Sequence, residues 1–191
     1  NQQLGVTILH VTHDQEEAFL LGEQLAVMIN GQIRQVGPRD DIYYRPATLD
    51  VARFLRNNIF DLTIKEILPD GSLRLENDIC LVAPGHAGAT PGEQLATGIR
   101  SEEVVVIRPN KPIGPELQEN LFRATIVDIL IFGGTQTLCV RLNDSGVTVN
   151  AELPNCAMRD LGYAIGDALQ VCLRKRSLWT IPLDAGAVTR K

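Results

Sequence analysis

The chain has 191 residues, room for one large domain or two small ones, and its hydrophobic fraction of 45% is ordinary for a globular protein. With 18 Lys and Arg against 23 Asp and Glu, a net charge of -5 and only one Trp, three Tyr and five Phe, it lacks the basic, aromatic-interleaved surface that nucleic-acid binding uses. No charged leader followed by an apolar segment opens the sequence, and no apolar run reaches membrane-spanning length, so these residues are not expected to cross a bilayer.

Residues 1–5 read as the last turn of a helix closed by Gly5, which suggests that the sequence starts inside a longer domain. Residues 6–11, rich in β-branched and aliphatic side chains, predict a buried strand, with His13 at its carboxyl end, where open α/β sheets bind ligands. Asp14 and Glu17 form a capping-box pair that starts a helix running to about Gly22. Residues 25–29 and 33–36 flank Asn30-Gly31, a strong hairpin signal. Short helices are expected over residues 39–44 and, capped by Thr48, through Leu55.

The texture changes at Asn57. Short alternating segments follow over 60–68, 72–75, 79–82, 95–100, 104–108, 122–132, 137–142, 147–153, 168–174 and 177–181. Asp70-Gly71, Gly133-Gly134, Asp144-Ser145-Gly146 and Gly166-Asp167 separate several of them, as hairpin turns do. This spacing predicts a small β-barrel or sandwich. Residues 83–92 and 109–115 are loops, residues 184–191 a tail, and the sequence displays no internal repeat strong enough to defend. Cys80, Cys139, Cys156 and Cys172 lie far apart among aliphatic residues and read as reduced, buried core cysteines of a cytosolic protein.

The first 58 residues carry a resemblance. Thr12-His13-Asp14-Gln15-Glu16-Glu17-Ala18, Val27-Met28, Gly31-Gln32-Ile33, Gln35-Val36-Gly37, Tyr44-Arg45-Pro46 and Val51-Ala52-Arg53-Phe54-Leu55 resemble the end of an ATP-binding cassette domain. The likeness is to importer ATPases of the maltose, sulfate, ferric-iron and polyamine type. Gly98-Ile99-Arg100-Ser101-Glu102-Glu103-Val104, residues 124–142 and residues 166–181 resemble the regulatory domain that follows the cassette in that family. Glu23-Gln24 stands where the family usually has Asp-Arg, Arg56 where glycine is common, and Ser101 where proline is usual.

The resemblance implies a mixed fold. An α/β fragment, the C-terminal end of a P-loop ATPase domain, would occupy residues 1–58; an all-β OB-like barrel regulatory domain would occupy 59–183, with a tail over 184–191. It implies that His13 is the switch-loop residue that contacts the ATP γ-phosphate in the full-length subunit. No G-x-x-x-x-G-K-[ST] stretch, signature segment or strand ending in Asp-Glu is present, so nothing here cradles phosphates or holds magnesium. ATP and Mg2+ therefore belong to the full-length protein; no cofactor and no metal is expected on this stretch, which should be inactive alone. The implied partners are a second copy, transmembrane permease subunits and a small regulatory ligand or protein, at the cytoplasmic face of the membrane. The transported solute is not encoded in these residues.

The plainer readings stand beside these. His10 reads as a core or edge histidine, His86 as a solvated loop residue, and Glu16 and Glu17 as charges favoured at a helix N-terminus. Arg174-Lys175-Arg176 reads as an exposed turn, Gly133-Gly134 as a hairpin turn, and Tyr43 and Tyr44 as packing between helix and sheet rather than as contacts for a coupling partner. The alternative function is a free-standing OB-like module that binds a small anion or an oligonucleotide.

Overall fold

A computed structural model describes residues 6–109 and 112–183; the expected helix turn over 1–5 and the tail over 184–191 lie outside the described residues, as do two positions of the 109–115 loop. Helix α1 (Gln15–Leu21) leads into a hairpin of β1 (Gln24–Ile29) and β2 (Gln32–Pro38), followed by α2 (Arg39–Tyr44) and α3 (Leu49–Phe54). Asn30 at φ 51° and Gly31 at φ 75° both adopt the left-handed conformation that a tight two-residue hairpin requires. Val27, Ile42, Val51 and Leu55 form a small core, with Phe19, Leu25 and Ile29 packed on it.

The strand expected over residues 6–11 is absent. Ile8, Leu9 and Val11 are 66%, 91% and 86% exposed. A strand exists only through pairing, and the β1–β2 hairpin forms a two-stranded sheet of its own that extends no edge to this segment. The aliphatic pattern was necessary for a strand but not sufficient.

The rest of the described chain is mostly β. Strands β3 (Asn58–Ile67), β4 (Leu73–Glu76), β5 (Cys80–Ala83) and β6 (Gln94–Ile99) are followed by β7 (Val104–Val106). Then come β8 (Leu121–Phe132), β9 (Thr135–Leu142), β10 (Thr148–Pro154), helix α4 (Asn155–Leu161), β11 (Ala168–Leu173) and β12 (Trp179–Pro182). Two antiparallel five-stranded sheets result, ordered β12-β6-β3-β4-β5 and β10-β9-β8-β11-β7. Their inner faces share one core that includes Leu62, Ile64, Leu75, Leu95, Ile126, Leu138, Val140 and Leu173. The OB-like β architecture expected from the sequence is thus present, and α4 is an element that the alternating pattern did not reveal.

The two sheets are copies of one plan, a repeat that the sequence does not display strongly enough to defend. In each, three meandering strands are joined by a fourth that returns beside the first, and both long strands bulge at corresponding places, after Ile64 and after Ile126. Gly92 N–H donates to the Ile64 carbonyl and Gly166 N–H to the Ile126 carbonyl, each at 2.8 Å, with φ of 92° and 95°. Each fourth strand then enters a single 3-10 turn, Ser101–Glu103 or Lys175–Ser177, and the strand after it joins the other copy's sheet. Unequal loops and the insertion of α4 leave no fixed period, and few residues coincide, so the duplication is visible only in the hydrogen bonding.

Two asparagines close corresponding corners. Asn58 Nδ2 donates to the Asn150 and Ile99 carbonyls while its Oδ1 accepts from Asn150 N–H. Asn120 Nδ2 donates to the Val82 and Leu173 carbonyls while its Oδ1 accepts from Val82 N–H. Each buried side-chain amide acts as a piece of strand, satisfying backbone groups at a sheet edge that would otherwise lack partners. All four cysteines are free, but the burial expected of them holds for Cys172 alone. Cys80 and Cys156 are exposed and Cys139 is half-buried, because aliphatic neighbours in a strand or short helix do not fix which side faces inward.

Candidate functional site

His13 is exposed in the extended segment before α1, not at the end of a buried strand. The local order comes from capping. Asp14 Oδ1 accepts from Glu16 N–H at 2.9 Å and Glu17 N–H at 3.2 Å, while Thr12 Oγ1 accepts from Asp14 N–H at 3.0 Å. Glu17 does not complete the expected box; its carboxylate turns to His10, 3.2 Å away. The Thr12 hydroxyl, and then the His10 imidazole, hold that carboxyl below its ordinary value. His10 is therefore an exposed residue facing the Glu17 carboxylate rather than a core histidine. His86 is half-buried rather than solvated, its Nε2 3.7 Å from Glu93.

A polar cluster lies where the α/β unit meets the β body. Tyr43, near the end of α2, packs edge-on against Phe19 with ring centroids 5.0 Å apart and donates its hydroxyl to Glu102 Oε1. The Arg100 guanidinium lies 3.6 Å over the Tyr43 ring, donates from Nε to Glu102 Oε1 at 2.6 Å and reaches the Leu55 carbonyl at 3.2 Å. Burial, and then the hydrogen bond to Glu102, push Tyr43 up to about 12. Burial alone would raise Glu102, but the Tyr43 hydroxyl and the Arg100 guanidinium outweigh it and hold its carboxyl below the ordinary value. Tyr43 thus packs on Phe19 of α1 and on the 3-10 turn of Ser101–Glu103 rather than between its helix and the sheet of its own unit. Tyr44 is half-exposed.

Arg56, just past α3, has φ 55° and forms the left-handed end of a Schellman cap: Asn57 N–H donates to the Ala52 carbonyl and Arg56 N–H to the Arg53 carbonyl. That conformation accounts for the glycine common at this place in the family that the sequence resembles. Trp179 Nε1 donates to Asn57 Oδ1 at 3.3 Å, a second tie between the unit and the β body. In the other copy's turn, Lys175 bonds Asp70 at 2.8 Å and lies 3.6 Å from Glu119, and Arg174 lies 3.8 Å from Glu103. Asp70 is held below the carboxylate range by the Lys175 ammonium and then the Ser72 hydroxyl and amide.

Residues 81–181, more than half of the chain, match the family described as the TOBE domain. The chain belongs to that family. It is 31% identical over 178 residues to the spermidine/putrescine import ATP-binding protein PotA of Nitratidesulfovibrio vulgaris, covering 89% of this chain and 46% of that one. It is 27% identical over 183 residues to the molybdate/tungstate import ATP-binding protein WtpC of Pyrococcus horikoshii, covering 95% and 49%. With the sn-glycerol-3-phosphate import ATP-binding protein UgpC of Ruegeria sp. it shares 36% identity over 149 residues, 77% of this chain and 40% of that one. The TOBE chain thus spans less than half the length of these curated relatives. Its fold resembles that of the cytoplasmic molybdate-binding protein ModG, with a TM-score of 0.56 at 12% identity, over 64% of this chain and 94% of that one.

The family match starts within the β body, yet a 183-residue alignment must also take in most of the α/β unit before it. Sequence reasoning singled out His13 and Tyr43. It missed that Arg100 and Glu102 of the TOBE region clasp Tyr43, and it missed both asparagine corners. The clasp had one visible signal, an arginine and two glutamates on a short turn; the corners had none.

Proposed function

We propose that this chain serves as the C-terminal part of the ATP-hydrolysing subunit of an ABC importer, in which the TOBE region regulates the subunit and contacts its dimer partner. The observation that carries this reading is the alignment with import ATP-binding proteins across both the α/β unit and the TOBE region. In the full-length subunit His13 would contact the γ-phosphate of ATP, with Mg2+ held by residues outside these. Its exposed setting before α1 leaves the imidazole-bearing loop open to such a partner. The Tyr43–Arg100–Glu102 clasp would carry motion of the ATPase part into the TOBE region as one body. Transmembrane permease subunits and a second copy would be the partners, at the cytoplasmic face of the membrane.

Phosphoryl transfer is dominated by positioning and charge stabilisation, so removing one contact to the transferred group slows turnover without abolishing nucleotide binding. In the full-length subunit, His13→Ala is expected to lower ATP turnover by roughly a hundredfold, within the range for loss of one stabilising group, with nucleotide affinity kept. Unchanged turnover would remove His13 from this role. A polypeptide containing these residues but no phosphate-binding Gly-x-x-x-x-Gly-Lys-Ser/Thr stretch would remove the ATPase reading altogether.

The second reading, a free-standing OB-like module that binds a small anion, has the fold likeness to ModG behind it. Against it stands the α/β unit, which such a module does not need.

A further inference from the structure

On the second sheet a cleft of about 400 Å3 opens between the end of β7, the start of β8 and the start of β11. Arg108, Arg123, Asn143, Tyr163 and Gln170 supply its polar lining, and Ile107, Pro109, Ile113, Ala168 and Leu169 its apolar wall. No carboxylate lines it, although the chain as a whole carries a net charge of -5. Among the described residues neither Arg108 nor Arg123 forms an ion pair.

The duplication supplies the control. Arg123 pairs with Gln170, four residues beyond Gly166; the corresponding residue of the first copy is Asp61, paired with Ala96, four beyond Gly92. Tyr163 lies three residues before Gly166, where the first copy has Ala89 before Gly92. Arg108 lies two residues beyond Val106, the partner of Val171; its counterpart is Pro182, two beyond Thr180, the partner of Thr97. The shared feature is an asparagine: Thr125 Oγ1 donates to Asn143 Oδ1 at 3.0 Å as Thr63 Oγ1 does to Asn77 Oδ1 at 3.3 Å. Asn77 then spends its Nδ2 on the Asp61 carbonyl, whereas the Arg123 carbonyl is met by the Asn143 backbone N–H, leaving Asn143 Nδ2 without an acceptor among the described residues. The scaffold is therefore complete with Asp, Ala and Pro at these places. The two guanidiniums and the free amide are additions that folding does not require, and the Tyr163 hydroxyl is carried on a ring that also packs on the shared core, as Ala89 does in the first copy.

Guanidinium groups recognise carboxylate and phosphate oxygens through paired N–H donors, and clefts of this size hold small molecules against an apolar wall with a few convergent polar groups. We propose that this cleft is a binding site for a small organic anion, a carboxylate or phosphate carried on an apolar body. The anion would lie between Arg108 and Arg123 with Asn143 Nδ2 as a third donor, and the apolar body against Ile107, Ile113 and Leu169. Burial, and then the Asp167 carboxylate, keep the Tyr163 phenol above its ordinary value, so it remains a donor. Asp167 itself is occupied, accepting from Ala164 N–H at 2.8 Å. The proposal concerns this chain alone and stands whether or not the ATPase reading does.

The test is titration of the 191-residue chain with phenyl phosphate and with inorganic phosphate, followed by calorimetry and by backbone amide NMR. Phenyl phosphate should bind, with shifts concentrated at residues 107–109, 123, 143 and 168–170, and at least several-fold more tightly than inorganic phosphate. Arg123→Asp and Tyr163→Ala install what the first copy carries at the same places, so the fold should persist; the first should weaken phenyl phosphate at least tenfold, while Arg74→Ala, outside the cleft, should leave it unchanged. Absence of binding at millimolar ligand, shifts centred elsewhere, equal affinity for the two probes, or unchanged affinity in a folded Arg123→Asp variant would each overturn the proposal.

Discussion

Trp179 lays its indole directly against Gly98, in the space that a Cβ at position 98 would need. The two residues are paired across β12 and β6, and Gly98 is buried, so neither backbone nor ring can retreat freely. Gly98→Ala should destabilise the protein by about 1–3 kcal/mol, as overpacking of a closed site does. Gly134→Ala, which meets nothing within 4 Å, should fall within about 0.5 kcal/mol of the parent. Equilibrium denaturation of the two variants checks the contrast.

The Tyr43 hydroxyl supplies a pH test. Its folded value of about 12 lies above the roughly 10 of an unperturbed phenol, so the neutral form is favoured by folding. The contribution is complete below pH about 10 and is lost as pH rises through 12. Denaturation midpoints of the parent should fall across that window more than those of Tyr43→Phe, which keeps the ring under Arg100 but has no hydroxyl to titrate. At neutral pH the same variant should lose about 1.5–3 kcal/mol, the range for a hydrogen bond to a charged group. Identical alkaline profiles would contradict the clasp.

Asn120→Ala should leave Val82 N–H and the Val82 and Leu173 carbonyls without their partner. An unsatisfied buried group costs about 1–3 kcal/mol, and the Val82 amide should exchange with solvent markedly faster. Asn58→Ala should do the same at Asn150. Faster exchange confined to one corner in each variant is the signature; protection equal to the parent would count against it.

Arg56 carries a left-handed backbone at φ 55°. That conformation costs a non-glycine residue about 1–2 kcal/mol, part of which glycine gives back through its greater freedom when unfolded. Arg56→Gly should therefore stabilise the protein by up to about 1 kcal/mol, readable as a higher thermal midpoint. A lower midpoint would mean that the arginine side chain contributes more than its backbone costs.

Much of this architecture could be read from residue order. Asn30-Gly31, the Thr48 cap and Gly133-Gly134 announce themselves because turn and cap chemistry is local. Residues 6–11 misled because strand formation depends on a neighbour that no local pattern reports. Cys80 and Cys139 misled for a related reason, since alternation tells that two faces exist but not which is inward. The repeat escaped because its conserved content is a set of backbone bonds, such as those of Gly92 and Gly166, rather than residue identities. His13 was singled out by resemblance, whereas the Arg108 and Arg123 cleft joins residues from separate strands that only the folded sheets bring together.

The passage of β7 and β12 into each other's sheets has a topological cost and a reward. A polypeptide ended after β7 would carry a strand with no sheet to enter and a fourth strand, β6, with a bare edge. Two such half-length molecules could satisfy both needs only by trading strands, so a single copy of this plan is expected to exist as an obligate pair. In the present chain that pair is joined covalently, and the two copies should melt together in one transition rather than in sequence.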